Sequence, residues 1–358
     1  MELPPELPPR RLCIVRLSAI GDTCHTVPVV RAFQDAWPDT EITWIIGRVE
    51  HSLMAGLEGV RFAILDKARG WRGYLDLRRQ FRDRRFPLLL HMHASQRANL
   101  ASLCVKAPIR LGFDRARARD GQYYFCNRHL SARSERHVMD GLFEFAEALG
   151  IERKPPRWDI PVDASDREFA AAEIDGSSPS LLISPCTGQR FRNFRNWRAE
   201  RYAAVADYAH ERYGARIVLT GGRTDLEQTY GSEIARLAGC PVHNLIGRTT
   251  LKQLLCLIER ASVVLCPDSG PAHMATAVGT PVVGLYASSN RFRTGPWASQ
   301  DLVVDKYPDA VRDEFGLSVQ EIRWGRRVRS PDVMDRIEVD DVIEKLDKAY
   351  AARDIVES

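Results

Sequence analysis

The chain has 358 residues, enough for about two domains at roughly 150 residues each. Hydrophobic residues make up 44% and charged residues 27%, globular proportions that exclude a disordered chain, a collagen-like repeat and a coiled coil. Net charge is only +4, yet Lys67–Arg136 holds 17 Lys/Arg against 5 Asp/Glu, a local +12 that leaves −8 for the rest. Such a split points one part of the chain at a polyanion; the plainer alternative is a solvated arginine-rich face.

Arg11–Leu17 (RLCIVRL) predicts a buried strand from its crowded aliphatic and β-branched residues. The turn Ser18-Ala19-Ile20-Gly21-Asp22 follows, then a helical pattern through Val29, Val30, Phe33 and Trp37 that Pro38 ends. Glu41–Ile46 predicts the second strand, Phe62–Leu65 a third, and Pro87–His91 (PLLLH) a fourth that ends in polar residues. The rhythm breaks at Pro155, Pro156 and Pro161, and Asp175–Pro179 (DGSSP) is a second flexible stretch, with a helix expected at 164–174 between them. It restarts with the strand Ser180–Ser184, the helix Ala199–Tyr213, the strand Ala215–Thr220 and the helix Thr224–Leu237. The short strand Val242–Leu245, the helix Leu251–Arg260, the strand Ser262–Cys266 and a helix after Asp268 come next. Thr280–Tyr286 is the last clear strand, and the tail Val339–Ala352 predicts an amphipathic helix.

Strands alternating with helices predict parallel sheets, hence an α/β fold of two doubly wound domains whose ligands lie at the carboxyl ends of strands. The expected boundaries are 1–163 and 180–335, with 164–179 as linker and 336–358 as a C-terminal helix packing back on the N-terminal domain. No apolar run reaches the roughly 18 residues of a membrane span, and the start MELPPELPPRR lacks a signal peptide's apolar core, which places the chain in the cytoplasm. Eight scattered cysteines without a CxxC pair exclude a spaced zinc site and read as reduced thiols.

Four strand-end loops carry chemistry. In Cys266-Pro267-Asp268-Ser269-Gly270-Pro271-Ala272-His273, Asp268 or Ser269 can cap a helix and Pro271 suits its first turn. Free N–H groups there would bind a diphosphate, and Gly270 lets it approach the backbone; a capped helix without ligand is the alternative, as a structural role is for His273. Ser184-Pro185-Cys186-Thr187-Gly188-Gln189 leads through Arg190, Arg192 and Arg195 to Trp197, either a pyrophosphate clamp or a solvated basic loop. Thr220-Gly221-Gly222-Arg223 allows close backbone approach, or is merely a turn. Asp22 closes the first strand as a general base or a helix cap, and a dinucleotide fingerprint is absent there.

Ser18-Ala19-Ile20-Gly21-Asp22 with His25-Thr26-Val27-Pro28, Asp268-Ser269-Gly270-Pro271-Ala272-His273 and Gly279–Tyr286 (GTPVVGLY) together resemble the bacterial ADP-heptose:lipopolysaccharide heptosyltransferases of glycosyltransferase family 9, over roughly residues 11–300. The resemblance implies a GT-B architecture, two Rossmann-like domains facing an interdomain cleft, with the nucleotide sugar in the C-terminal domain and the acceptor in the N-terminal one. It implies Asp22 as catalytic base, and Thr187, Arg195, Asp268, Ser269, Gly270 and His273 around the donor, with Arg190 and Arg192 competing with Arg195 for the diphosphate.

The chemistry agrees. Inverting transfer needs one base on the face opposite the leaving group, with an oxocarbenium-like transition state. Arginine and a helix N-terminus can replace a metal, and no DxD pair is present, so metal independence and no cofactor beyond the donor ADP-heptose are expected. Arg69, Arg72, Arg78, Arg79 and Arg82 then dock the phosphates and acidic sugars of a lipopolysaccharide core or lipid A acceptor, with peripheral contact at the inner membrane's cytoplasmic face. Another nucleotide sugar or core acceptor is the alternative within the family. A sugar-nucleotide 2-epimerase shares the fold but lacks the Ser-x-x-Gly-Asp motif. Nucleic-acid binding is excluded because no RRM, KH or helix-turn-helix signature occurs and aromatic residues do not interleave with the basic ones.

Overall fold

The computed structural model describes residues 6–188 and 193–357. The chain forms two compact units, Met1–Pro161 and Val162–Ser358. In the first, β1 (Arg11–Val15) leads into α1 (Ile20–Ala36), followed by β2 (Glu41–Gly47), α2 (Arg48–Met54), β3 (Val60–Leu65), α3 (Trp71–Gln80), β4 (Leu88–His91), α4 (Gln96–Leu103), β5 (Ile109–Gly112), β6 (Arg128–His129) and α5 (Val138–Glu147). All six strands are parallel, in the order β3-β2-β1-β4-β5-β6.

The second unit holds α6 (Ala164–Glu173), β7 (Ser180–Ile183), α7 (Ala199–Tyr213), β8 (Arg216–Leu219), α8 (Asp225–Leu237), β9 (Val242–Asn244), α9 (Leu251–Arg260), β10 (Val263–Pro267), α10 (Gly270–Val278) and β11 (Val282–Tyr286). The single turn α11 (Arg291–Thr294), β12 (Val303–Asp305), α12 (Tyr307–Phe315) and α13 (Val339–Glu357) complete it. Its parallel sheet runs β12-β11-β10-β7-β8-β9, the same winding as the first.

Local chemistry explains the elements. β1, β4, β7 and β10 are buried along almost their whole length, as strands covered by helices on both faces must be. Helix starts follow short polar residues: the Ser95 hydroxyl accepts from the Ala98 N–H ahead of α4, and Thr250 and Gln253 form a reciprocal cap on α9. α7 and α10 stop at Gly214 and Gly279, whose φ of +62° and +81° suits glycine. α1 contains Pro28, which has no N–H to offer the Cys24 carbonyl; the indole N–H of Trp158 donates to that oxygen at 3.0 Å.

The sequence reading left out the strands β5, β6 and β12 and the helices α2, α3, α4, α5, α11 and α12. The segment expected as a linker carries α6, which packs along α9 through an Arg167–Glu259 ion pair and a hydrogen bond from Arg260 to the Ile174 carbonyl. The last helix packs into the core of the second unit. Val342, Leu346, Ala349 and Tyr350 of α13 enter a core shared with Val205, Leu302 and Val304. Burying that apolar face is what fixes the helix there.

Candidate active site

In the first unit the strand order reverses between β1 and β4, so the loops leaving their carboxyl ends diverge and open a crevice. α1 begins on one side of it. Asp22 is the third residue of this helix; its Oδ2 accepts from the Ala19 N–H at 3.2 Å and lies 2.6 Å from an Arg16 guanidinium nitrogen. Ala19 holds the cap position and Asp22 reaches back to it, so the carboxylate closes the helix start. Its side chain keeps 31% of its exposure, enough for a hydroxyl to reach it, whereas Arg16 is buried and anchored on the Met92 carbonyl at 2.5 Å. The base and cap readings of Asp22 are geometrically compatible.

His93 enters from the other side of the crevice, just after β4, and the sequence reading did not single it out. Its Nδ1 accepts from the Leu17 N–H at 3.1 Å, which leaves the proton of the neutral ring on Nε2. Burial, and next the Arg16 charge, push its pKa down to about 3 against the pull of Asp22. The signal was available as His91-Met92-His93 closing an apolar strand. His91, fully buried and accepting from the Gln122 amide at 3.0 Å, is lowered to about 4 by burial and then by Arg110.

These histidines make stability pH-dependent. Both stay neutral in the native state but protonate near 6.5 once unfolded. The unfolded chain therefore binds more protons below 6.5, and their contribution is full above that pH and is lost as pH falls toward 4. Between pH 7 and pH 5 the His91 share should be roughly 2 kcal/mol, read as a fall in urea midpoint. His91→Asn should flatten that fall; equal falls in both proteins would refute the assignment.

The basic residues do not form one cluster. Arg69 follows β3 and pairs with Asp76 at 2.9 Å, and Arg72 sits in the first turn of α3, so both stand at the sheet edge that carries Asp22. Arg78 and Arg79 lie in the last turn of α3, about 10 Å further along at 1.5 Å per residue. Arg82 reaches the amino edge of the sheet, its carbonyl accepting from Lys106 just ahead of β5.

The second unit reverses its strand order between β7 and β10. The loop after β7 brings Thr187 and Arg195 to this point, and the loop after β10 brings Asp268, Ser269 and Gly270. Asp268 is buried; its Oδ2 accepts from Arg195 at 2.9 Å and from the Ser289 hydroxyl at 2.8 Å, and Arg327 stands 3.7 Å away. Burial opposes its charge, but Arg195, Arg327, His273 and Ser289 outweigh that and hold the carboxyl below its ordinary range. Arg195 also donates to the Asp268 carbonyl and to Asn193 Oδ1, and Asn193 in turn donates to the Thr187 hydroxyl at 2.7 Å. This network locks the β7 loop onto the β10 loop.

Ser269 occupies the cap position of α10 without a capping hydrogen bond, and Asp268 is turned to its arginines, so no side chain closes the helix end at Gly270. Pro271 sits in its first turn as expected, and His273 is its fourth residue, buried beside Asp268. Arg190 and Arg192 lie outside the described residues. At the end of β8 the Gly222 N–H donates to Glu227 at 2.7 Å, which shapes the Gly221-Gly222 turn. Sequence reasoning missed Ser289 and Arg327. The polar run Ser288-Ser289-Asn290 after an apolar strand was a usable signal for the first, and nothing local marked the second.

Among the described residues no group of three or more His, Cys, Asp or Glu could hold a metal ion, and no helix is long and apolar enough to cross a membrane. All eight cysteines are free, with burial raising every thiol pKa.

Residues 74–314 match the model of glycosyltransferase family 9 (heptosyltransferase). The chain is 38% identical over 340 residues to the lipopolysaccharide core heptosyltransferase OpsX of Haemophilus influenzae, covering 95% of this chain and 97% of that protein. Its fold is similar to that of a family 9 glycosyl transferase from Veillonella parvula (TM-score 0.77, 21% identity, 96% and 97% covered). It is also similar to that of the E. coli heptosyltransferase WaaC solved with ADP (TM-score 0.73, 16% identity, 95% and 99% covered). Two parallel, doubly wound α/β units are the GT-B class that the sequence implied. With a family model over more than half its length and a close relative over nearly all of it, the chain belongs to glycosyltransferase family 9, the heptosyltransferases.

Proposed function

We propose that this chain transfers heptose from ADP-heptose to the inner core of lipopolysaccharide, with inversion at the anomeric carbon, Asp22 as the base and no metal ion. The observation that carries the reading is that the two switch-point crevices hold complementary chemistry. One presents a reachable carboxylate beside a neutral histidine, and the other an uncapped helix N-terminus beside the buried Arg195–Asp268 pair.

The acceptor hydroxyl would lose its proton to Asp22 as its oxygen attacks the anomeric carbon. The bond to the diphosphate breaks with its electrons, and ADP leaves as an anion. Arg16 keeps the Asp22 carboxylate oriented, and the Nε2–H of His93 is a donor for a sugar or phosphate oxygen. At the donor end, the N–H groups opening α10 meet the leaving diphosphate, where the positive end of a helix favours an anion. Thr187, Asp268, Ser269 and His273 line that end, with Arg195 holding Asp268 as well as its own loop. Arg69 and Arg72 stand where phosphates of a core saccharide would arrive. The names of the relatives support this reading: the Haemophilus protein acts on the lipopolysaccharide core, and the E. coli neighbour was solved with ADP. Such an acceptor is anchored in lipid, so the enzyme would meet it at a membrane surface.

The test is ADP release from ADP-heptose, with truncated cores as acceptors. Heptose-dependent release, unchanged by EDTA, is the expected result, and Gly270→Val should weaken ADP binding by blocking backbone approach. Release only with another nucleotide sugar would overturn the donor assignment, and a strict requirement for Mg²⁺ would overturn the metal-free reading.

A further inference from the structure

α3 and α4 lie side by side over one face of the first sheet. Tyr74 and Leu77 of α3, and Ala98, Ala101 and Cys104 of the α4 segment, join the core with Val15 and Leu89 of β1 and β4. Cys104 donates to the Tyr74 carbonyl at 3.4 Å, so the helices touch. Their outer surface gathers four exposed large apolar side chains. Trp71 is 68% exposed, Leu103 59%, Leu100 50% and Leu75 38%. The two helices carry Arg72, Arg78, Arg79 and Arg97 against one carboxylate, Asp76, which already pairs with Arg69 and Arg79. Arg82 continues the row toward the amino edge, away from Asp22.

Exposed apolar residues set among arginines that outnumber the one carboxylate, with a tryptophan at one end, match the chemistry of an anionic bilayer surface: aliphatic and indole groups enter the interface while guanidinium groups meet phosphates. We propose that the outer face of α3 and α4 docks this enzyme on a lipid bilayer bearing anionic headgroups. The proposal rests on the reading of a lipid-anchored acceptor and separates two roles within the basic segment. Arg69 and Arg72, at the carboxyl edge, serve the saccharide. Arg78 and Arg79, at the far end of α3, and Arg82, toward the amino edge, serve the membrane. A sheet lying with this face on lipid keeps its carboxyl edge beside the surface from which the saccharide emerges.

The experiment is flotation of the full chain with phosphatidylcholine vesicles, with and without phosphatidylglycerol, at low and physiological salt. The protein should float with anionic vesicles, much less with neutral ones, and less as salt rises. Replacing Arg78, Arg79 and Arg82 together by Gln should weaken binding on the order of a hundredfold, about fivefold per arginine. Leu100→Ser with Leu103→Ser should also weaken it while leaving its salt dependence in place. These side chains are exposed, and an unchanged circular dichroism spectrum and urea midpoint would verify that each variant is folded. Equal binding to both vesicle types, no binding at low salt, or an unaffected arginine variant would overturn the proposal. So would a dimer in sedimentation equilibrium that the leucine variant dissolves, since the face would then cover a second copy. Vesicle binding is read without turnover, so its failure leaves the transfer reading standing, and failure of heptose transfer leaves the docking result standing.

Discussion

Asp22→Asn should lower turnover by about 10² to 10⁴, the usual contribution of a general base, while ADP affinity stays near that of the unaltered protein. The amide is isosteric and can still accept from the Ala19 N–H, so the start of α1 keeps its closure. What disappears is the basic oxygen and the ion pair with Arg16 at 2.6 Å. Arg16 retains its hydrogen bond to the Met92 carbonyl, which limits the structural loss. The measurement is steady-state ADP release alongside calorimetric ADP binding. Turnover close to that of the parent enzyme in a folded Asp22→Asn variant would remove Asp22 from the mechanism. A parallel loss of ADP affinity would mean that the change acts through the fold.

The second large effect concerns the Arg195–Asp268 pair. Asp268→Ala should cost about 3–5 kcal/mol, because it leaves a buried guanidinium without its counter-charge. At the stability slope of a unit this size, that is a fall in Tm on the order of 10 °C. Arg195→Met should cost less, since Arg327 at 3.7 Å and the Ser289 hydroxyl at 2.8 Å remain to hold the carboxylate. The double variant should be more stable than Asp268→Ala alone, a coupling that a double-mutant cycle reads directly. Additive losses would show that the two side chains act independently. Because the pair ties the β7 loop to the β10 loop, both single variants should also bind ADP more weakly.

The strands flanking both crevices were legible because their apolar runs are unbroken: RLCIV, LLLH, SLLI and VVLCP need no tertiary context. β5 was not, since Arg110 interrupts IRLG between a proline and a glycine. The structure satisfies that charge by turning the guanidinium onto the carbonyls of Ser102 and Val105, at 2.8 and 2.6 Å. β6 and β12, of two and three residues, are too short to show a period. For the site, Asp22 and Asp268 were visible as short polar motifs closing apolar strands. His93 shared that position but stood next to a second histidine that is wholly structural. Arg327 was invisible because its segment has no periodicity and is placed by distant contacts, with Ser288 and Val328 exchanging hydrogen bonds at 2.8 and 3.1 Å. The division of the arginines likewise depended on knowing which edge of the sheet each one reaches.

The identical winding of the two sheets puts a helix N-terminus at each switch point, yet the two ends are finished differently. In the first unit the helix start is closed by its own Asp22, which Arg16 also pairs, so this end presents a carboxylate oxygen and not open N–H groups. In the second, Asp268 turns away to its arginines, and the pole at Gly270 stays positive and open to an anion. One carboxylate, moved from outside a helix to its third residue, thus converts an anion seat into a proton acceptor on the same scaffold.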